Sequence, residues 1–325
     1  MLRLIQTLAF ILSSIFFSNS FAEQPSPFLT RDASPFSLIF GLPLASAAKL
    51  LENPQSRWIS SLNISNTINA QQNANENLFI DIETWNINFI YDYGLNEDWM
   101  LRVQLPYIVH SGGFLDSSID SYHRALGLPE DIRPNFPQDQ ININLSLNSQ
   151  NLLNTNTQQS ALGDASIQMA WQAQQSEDSA ISYWFSLKLP TGDAQKLTGS
   201  GATDLAAWAA MNYRLSGTRW IYGQGGLLYM GDSDLFSNDQ NNLAAFGNAG
   251  IKFQPWDAIK LKAQFDFHSA FYDSNLEFLG PVLQLTFGGS YAINPRHQLD
   301  FAIVEDIQNG ASPDVNFNIS WWIYL

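Results

Sequence analysis

The sequence contains no cysteine, so no disulfide can staple the chain and a lipid cannot be attached at a cysteine after export. Basic residues are scarce, with 15 Lys+Arg against 30 Asp+Glu and a net charge of -15. So acidic a chain repels nucleic acid, whose phosphates call for clustered Lys and Arg, and that partner class is excluded. Histidine occurs only 4 times, which leaves few candidates for acid–base work. No Pro/Ser linker and no block of like charge divides the chain, which reads as one domain.

The opening "MLRLIQTLAFILSSIFFSNSFA" places Arg3 before an apolar run from Leu8 to Phe17 and ends on Ser20, Phe21 and Ala22. That tripartite order predicts a secretory signal, residues 1–22, cut after Ala22; the run is too short for a membrane-spanning helix. Cleavage removes Arg3 and leaves 14 basic residues against 30 acidic ones, a charge of -16.

The rest of the chain is dominated by alternation. In "IKLKAQFDFH", Ile259, Leu261, Ala263, Phe265 and Phe267 alternate with Lys260, Lys262, Gln264, Asp266 and His268, a strand with one apolar and one polar face. "WMLRVQLPYIV" and "DVNFNISWWIYL" read the same way. Strands are predicted near 58–66, 79–93, 99–109, 164–174, 181–190, 204–214, 219–229, 243–254, 258–268, 280–291, 297–306 and 314–325, an even number. Within 79–93 the apolar phase changes from Leu78, Ile80 and Ile82 to Trp85, Ile87, Phe89, Tyr91 and Tyr93, so either a bulge near Thr84 or a strand projecting past the membrane is expected.

The connections alternate strictly. "GLNED", "QSED", "LSGT", "QPWD" and "INPR" are short; "TINAQQNANEN", His110 to Leu162, "TGDAQKLTGSGAT", "GDSDLFSNDQNN", "SAFYDSNLEF" and "IQNGAS" are longer. Strands of ten or more residues suit the ~9–11 tilted residues that cross a bilayer. The expected fold is therefore all-β: a transmembrane antiparallel up-and-down β-barrel of about twelve strands, with short periplasmic turns and long extracellular loops, in the outer membrane of a Gram-negative bacterium. Its expected parts are the signal, a periplasmic N-terminal segment 23–56 and the barrel 57–325. The apolar "FSLIFGLPLASAAKLL" predicts that the N-terminal segment plugs or lines the lumen as a short strand and a helical turn. "IDSYHRALGLP" in the longest loop predicts a short helix.

This reading defines two residue sets. Trp58, Tyr93, Trp99, Trp171, Tyr183, Tyr213, Trp220, Trp256, Tyr291, Trp321 and Trp322 sit near short turns or chain ends and form an expected periplasmic aromatic girdle. Arg102, Gln104, Lys188, Lys252, Lys260, Lys262, Asp266 and Asp300 are expected to face the lumen, with Asp92 and Asp314 as further acids, either as a polar gate or as a satisfied network that stiffens the wall.

The stretches "RDASPFSLIFGLPLASAAKL", "YDYGLNEDWMLRVQLPYIVHSGGFLDSSIDSYHRALGLPEDIRP", "LGDASIQMAW" and "LKLPTGD" resemble a proteobacterial family described as domain of unknown function 3187, along essentially the whole mature chain. The resemblance implies an outer-membrane barrel and no established activity, ligand or catalytic residue. "LPTGD" and "TGSGATD" also look like stretches of barrels proposed to pass aromatic compounds. Trp321, Ile323 and Leu325 resemble the C-terminal signal read by the barrel-assembly machinery, with Leu325 in place of the usual final aromatic.

Candidate chemistry is sparse. A lipid hydrolase would need Ser, His and an orienting group together; His110-Ser111 and His268-Ser269 are the candidates, with His123 in the longest loop and His297 elsewhere. No nucleophile-elbow motif flanks them. The acids Asp232, Asp234 and Asp239 lack the spacing of a calcium loop, and "LPTGDAQKLTGSGATDLAAW" lacks the Lys-Ser/Thr tail of a phosphate loop, so it reads as a loop between strands. No cofactor, metal or catalytic residue is expected. The expected function is a non-enzymatic channel or passive transporter for a small solute, with a lipid-modifying hydrolase and a structural or surface-interaction barrel as alternatives. The expected partners are outer-membrane lipid, lipopolysaccharide and the barrel-assembly machinery.

Overall fold

In the computed structural model, residues 25–126, 135–307, 310–313 and 315–325 are described. The expected signal 1–22, Asp314 and the side chain of His123 lie outside the described residues.

In chain order the elements are a helical turn α1 (Pro35–Leu38), strands β1 (Ser56–Gln72), β2 (Asn77–Gly94) and β3 (Trp99–Ser111), and helix α2 (Asp116–Leu126). Next come β4 (Asn142–Leu147), β5 (Gln150–Thr155), β6 (Gln159–Leu162), β7 (Ser166–Gln175), β8 (Ser179–Lys188), β9 (Asp204–Ser216) and β10 (Arg219–Tyr229). β11 (Leu243–Trp256), β12 (Ile259–His268), β13 (Val282–Asn294), β14 (His297–Asp306) and β15 (Val315–Tyr324) complete the chain. Each of the twelve predicted strands is present.

β1, β2, β3 and β7 to β15 pair antiparallel with their chain neighbours, and β1 pairs with β15 from Arg57 opposite Tyr324 to Asn66 opposite Val315. The ring has no free edge, so backbone groups inside hydrocarbon are satisfied by their neighbours. β12 shows the logic of the wall. Lys260, Lys262, Gln264, Asp266 and His268 are buried inside, while Leu261, Phe265 and Phe267 are 47%, 47% and 44% exposed outside. In water such an outer face would forfeit about 1.5–3 kcal/mol for each large side chain left uncovered. Facing lipid tails, it forfeits little.

The first hairpin departs from expectation. β1 and β2 continue to Gln72 and Asn77, so "TINAQQNANEN" is mostly strand and the turn is only residues 73–76. Asn73 makes the short turn possible, because its Oδ1 accepts from the backbone N–H of Asn75 and Glu76. No bulge forms near Thr84, since β2 stays in register with β1 from Asn77 to Tyr93. Leu78, Ile80 and Ile82 share the inward parity of Asn86 and Asn88. They are apolar because, beyond the membrane, they cover an apolar core with Ile143, Leu145 and Leu147 of β4. The β4–β5 hairpin turns through Asn148 and Ser149, both at positive φ. It and β6 extend the sheet over the long-loop end, paired to β2 and β3.

Residues 25–50 run inside the barrel and are almost all buried. α1 begins where Ser34 caps Phe36 N and Pro35 occupies the first turn. No strand forms in this inner segment, contrary to expectation. Pro25, Pro27, Pro35 and Pro43 remove ladder donors, and wall side chains take up backbone groups that a ladder would use. Phe36 and Phe40 pack edge-on against Phe236, Phe278 and Phe271, which closes the long-loop end with an aromatic core.

Candidate functional site: the occupied lumen

The inner segment rises beside β12 with a constant offset of 236 positions. Lys262 Nζ donates to Ser26 O at 3.0 Å, Gln264 Oε1 accepts from Phe28 N at 3.1 Å, and Thr30 Oγ1 donates to Asp266 Oδ2 at 2.9 Å. Above them His268 Nε2 meets Asp32 Oδ2 at 3.2 Å, and Tyr272 OH donates to Phe36 O at 2.8 Å. The alternating parity of an extended chain matches the inward residues of one strand, so each step of two finds the next side chain.

The segment turns at α1 and descends the opposite wall. Lys188 Nζ donates to Ile39 O at 3.0 Å, and Gly41 N donates to Asp204 Oδ2 at 2.7 Å. Lower down, Gln224 accepts from Ser46 N at 2.8 Å and donates to Leu44 O at 3.5 Å; Gln172 accepts from Leu50 N at 2.8 Å and donates to Ala48 O at 3.0 Å. Three inward glutamines, Gln264, Gln224 and Gln172, thus use both ends of the amide to satisfy a backbone that has no ladder. None was among the expected lumen candidates, although Gln264 stands on the polar face read from "IKLKAQFDFH". The available signal was a glutamine on the inward parity of a strand.

All eight polar candidates for the lumen are buried. Asp92 lies between two guanidiniums: Arg102 forks onto it at 2.6 and 2.9 Å, and Arg57 approaches from β1 with Nε at 3.1 Å. Lys188 joins Asp164 at 2.6 Å and Asp204 at 2.9 Å, and Lys262 joins Asp300 at 2.9 Å. Lys260 donates to Gln298, Lys252 to Gln254, and Gln104 to Asn88. Asp266 accepts from Thr30, Gln264 and Thr286. Arg57, absent from the sequence candidates, occupies the first inward position of β1.

Of the girdle candidates, Trp58, Trp99, Trp171, Tyr183, Tyr213, Trp256, Tyr291 and Trp321 are exposed on the outer wall, and Tyr93 is half-buried on the same face. Trp99, Trp171 and Tyr183 stack in succession across β3, β7 and β8. Trp220 and Trp322 are corrections. Both are 1% exposed and point into the lumen. Their rings carry cations there: Lys252 and Arg214 lie over Trp220 at 5.5 and 4.7 Å, and Arg57 over Trp322 at 4.8 Å.

The glycine-rich loop after β8 folds down onto the barrel mouth. Asp164 accepts from Gly192 N at 2.7 Å and Ser200 N at 3.1 Å, and Lys188 Nζ donates to Ser200 Oγ at 2.6 Å. Gly199 is required by this close approach, because a Cβ there would stand 2.3 Å from Asp164 Oδ1. Two acids of the next loop are also engaged: Asp232 accepts from Asn242 and Asp239 from Asn148. Among the described residues no three His, Asp or Glu side chains converge as metal ligands. His110 engages Thr84 Oγ1 at 2.9 Å and Leu197 O at 3.2 Å; His268 engages Asp32 and Ser269 O. Neither ring meets a serine hydroxyl. A tiny residual space, two cavities of about 20 Å³ beside Arg31, accompanies the segment.

A closed twelve-stranded wall, apolar outside and polar inside, with aromatic side chains outward at the short-turn end, defines a transmembrane β-barrel. The chain belongs to the family described as "Protein of unknown function (DUF3187)", whose model matches residues 4–322. The COG4313 outer membrane channel from Pseudomonas putida F1 has a similar fold, at 12% identity and a TM-score of 0.58, over 86% of this chain and 98% of that one. The toluene transporter TbuX of Ralstonia pickettii aligns at 9% identity and 0.43, over 94% and 97%; the NanC porin at 6% and 0.45, over 82% and 98%. No curated protein matches the chain.

Proposed function

We propose that this protein is a channel or passive transporter of the outer membrane of a Gram-negative bacterium, closed at rest by its own inner segment and passing a small solute when that segment shifts. The observation that carries this reading is how residues 25–50 are held. They fill the lumen through hydrogen bonds to side chains and contribute no strand to the barrel. Such contacts exchange one by one with water or solute, at about 0.5–1.5 kcal/mol each, whereas removing a strand would open the wall. The barrel similarity to the outer membrane channel of Pseudomonas putida agrees with this use of the fold. Outer-membrane lipid and lipopolysaccharide would surround the belt, and the barrel-assembly machinery would insert it.

Single-channel recording of the full-length protein in planar bilayers tests the reading. Brief openings from a closed baseline are expected, together with uptake of small solutes into proteoliposomes. Complete absence of both conductance and uptake would favour a structural barrel, and a large steady conductance would show that the inner segment does not close the lumen.

A further inference from the structure

Among the described side chains are three histidines, and the partners of their ring nitrogens differ in kind. His110 faces the Thr84 hydroxyl, which can donate, and Leu197 O, which can only accept, so a neutral ring with its proton on Nε2 satisfies both. His297 Nδ1 accepts from Trp321 Nε1. His268 has two acceptors instead: Nδ1 lies 2.9 Å from Ser269 O and Nε2 lies 3.2 Å from Asp32 Oδ2. A neutral imidazole carries one N–H and can serve only one of them. Asp32 is an acceptor at its other oxygen as well, since Oδ1 takes the Ser34 N–H at 2.9 Å. The arrangement therefore needs a second proton on the ring, an imidazolium facing a carboxylate.

The pair stands where it can fasten the inner segment. His268 is the last residue of β12, at the long-loop end, and Asp32 lies two places before the Ser34 cap of α1. Both side chains are buried, and the ring is stacked on Phe271 with centroids 4.2 Å apart, which holds its plane. The other charged or titratable groups around it are Arg31 on the inner segment, Asp266 two places down β12, and Tyr272 in the following loop, whose hydroxyl is committed to Phe36 O. β10, β11 and β13 bring only uncharged side chains to the same space. A cavity of about 20 Å³ touches both Asp32 and His268 and has room for about one water, which gives the proton a route in and out.

We propose that His268 and Asp32 form a proton-operated latch that holds the ascending arm against β12 and releases it as the pH rises. With the proton in place, a charge-assisted hydrogen bond joins wall and arm. Without it, the Nε2 lone pair faces a carboxylate oxygen in a closed space, and attraction gives way to repulsion. The closed arrangement holds one proton more than the separated pair does in alkaline solution, so by linkage closure is favoured at low pH and weakened as the pH rises. A single proton shifts such an equilibrium by at most about tenfold per pH unit. The latch rests on the channel reading and names the signal that opens it.

The test follows amide exchange over residues 28–34 of the full-length protein in lipid nanodiscs, from about pH 5 to about pH 8, the range in which imidazole gains and loses its charge. After correction for intrinsic rates, exchange is expected to accelerate at least tenfold across the range, and the open probability in bilayer recordings to rise with it. His268→Gln donates to Asp32 through an amide that does not titrate and should flatten both responses. Asp32→Asn donates its amide to the neutral ring and should stay closed at the alkaline end. Asp266→Asn and His297→Gln should keep the response, with heat-modifiable gel mobility confirming an intact barrel in each variant. Exchange that does not respond to pH in the unaltered protein overturns the latch without any variant, as does a response that survives His268→Gln. A pH-dependent exchange with no conductance at any pH would overturn the channel reading and leave the latch standing; conductance with the same open probability and the same exchange at every pH would do the reverse.

Discussion

Gln264 holds the Phe28 peptide from both sides, accepting from its N–H at 3.1 Å and donating to its carbonyl at 3.3 Å. Gln264→Leu keeps the volume and removes both bonds. Each backbone group left buried and unpaired costs about 1–3 kcal/mol, so the ascending arm is weakened relative to the wall that surrounds it. Since every 1.4 kcal/mol is a factor of about ten, the open probability in single-channel records should rise at least tenfold. Gln174→Ala, an exposed glutamine at the short-turn end, serves as the control and should leave it unchanged.

Asp92 is the single acid between Arg57 and Arg102. Asp92→Asn leaves two buried guanidiniums facing each other, and breaking such an arrangement costs about 3–5 kcal/mol. The thermal transition of the barrel, followed by the loss of heat-modifiable mobility, should fall clearly. Asp193→Asn, which removes an exposed pair with Lys196, should shift it little, as surface pairs are worth about 0–1 kcal/mol.

Much of the barrel was legible in the sequence because one physical rule generates it: every wall residue faces lipid or lumen, and the alternation of "IKLKAQFDFH" records that choice directly. The rule fails where the lumen side is not polar. Leu78, Ile80 and Ile82 point inward because they cover an apolar core beyond the membrane, and periodicity alone cannot separate that from a bulge. It also failed for Trp220 and Trp322, because an indole suits both the lipid interface and a buried cation. Nearness to a short turn does not decide between them; parity does. The pairing of the inner segment with β12 was invisible, since an offset of 236 positions leaves no local pattern.

Sidedness of the tryptophans can be read spectroscopically. In single-tryptophan variants reconstituted with lipids brominated near the headgroup, Trp171 or Trp256 should be strongly quenched and Trp220 or Trp322 should not. Quenching of Trp220 equal to that of Trp171 would place its ring outside.

Acid should loosen the tip of the first hairpin. Burial pushes the Glu76 carboxyl up, but hydrogen bonds from Asn73, Ser274 and Asn275 outweigh it and hold the group below its ordinary value of 4.5. A carboxyl depressed in the folded state stabilises it above the unfolded value, and that contribution disappears as pH falls through the folded one. Amide exchange near residues 73–76 and 274–276 should therefore accelerate as pH drops below about 4.5, after correction for intrinsic rates. Glu76→Gln should remove the dependence.

The separation of 236 positions between the inner segment and β12 also sets an order of assembly. A chain delivered N-terminus first presents residues 25–50 long before their partners exist. Residues 26–32 stay without their β12 partners until the last third of the sequence arrives, whereas residues 39–50 find theirs on β8, β9, β10 and β7. Loop-closure entropy of that size is met late in folding. The arm that rises beside β12 is therefore the last part of the lumen's occupant to find its partners.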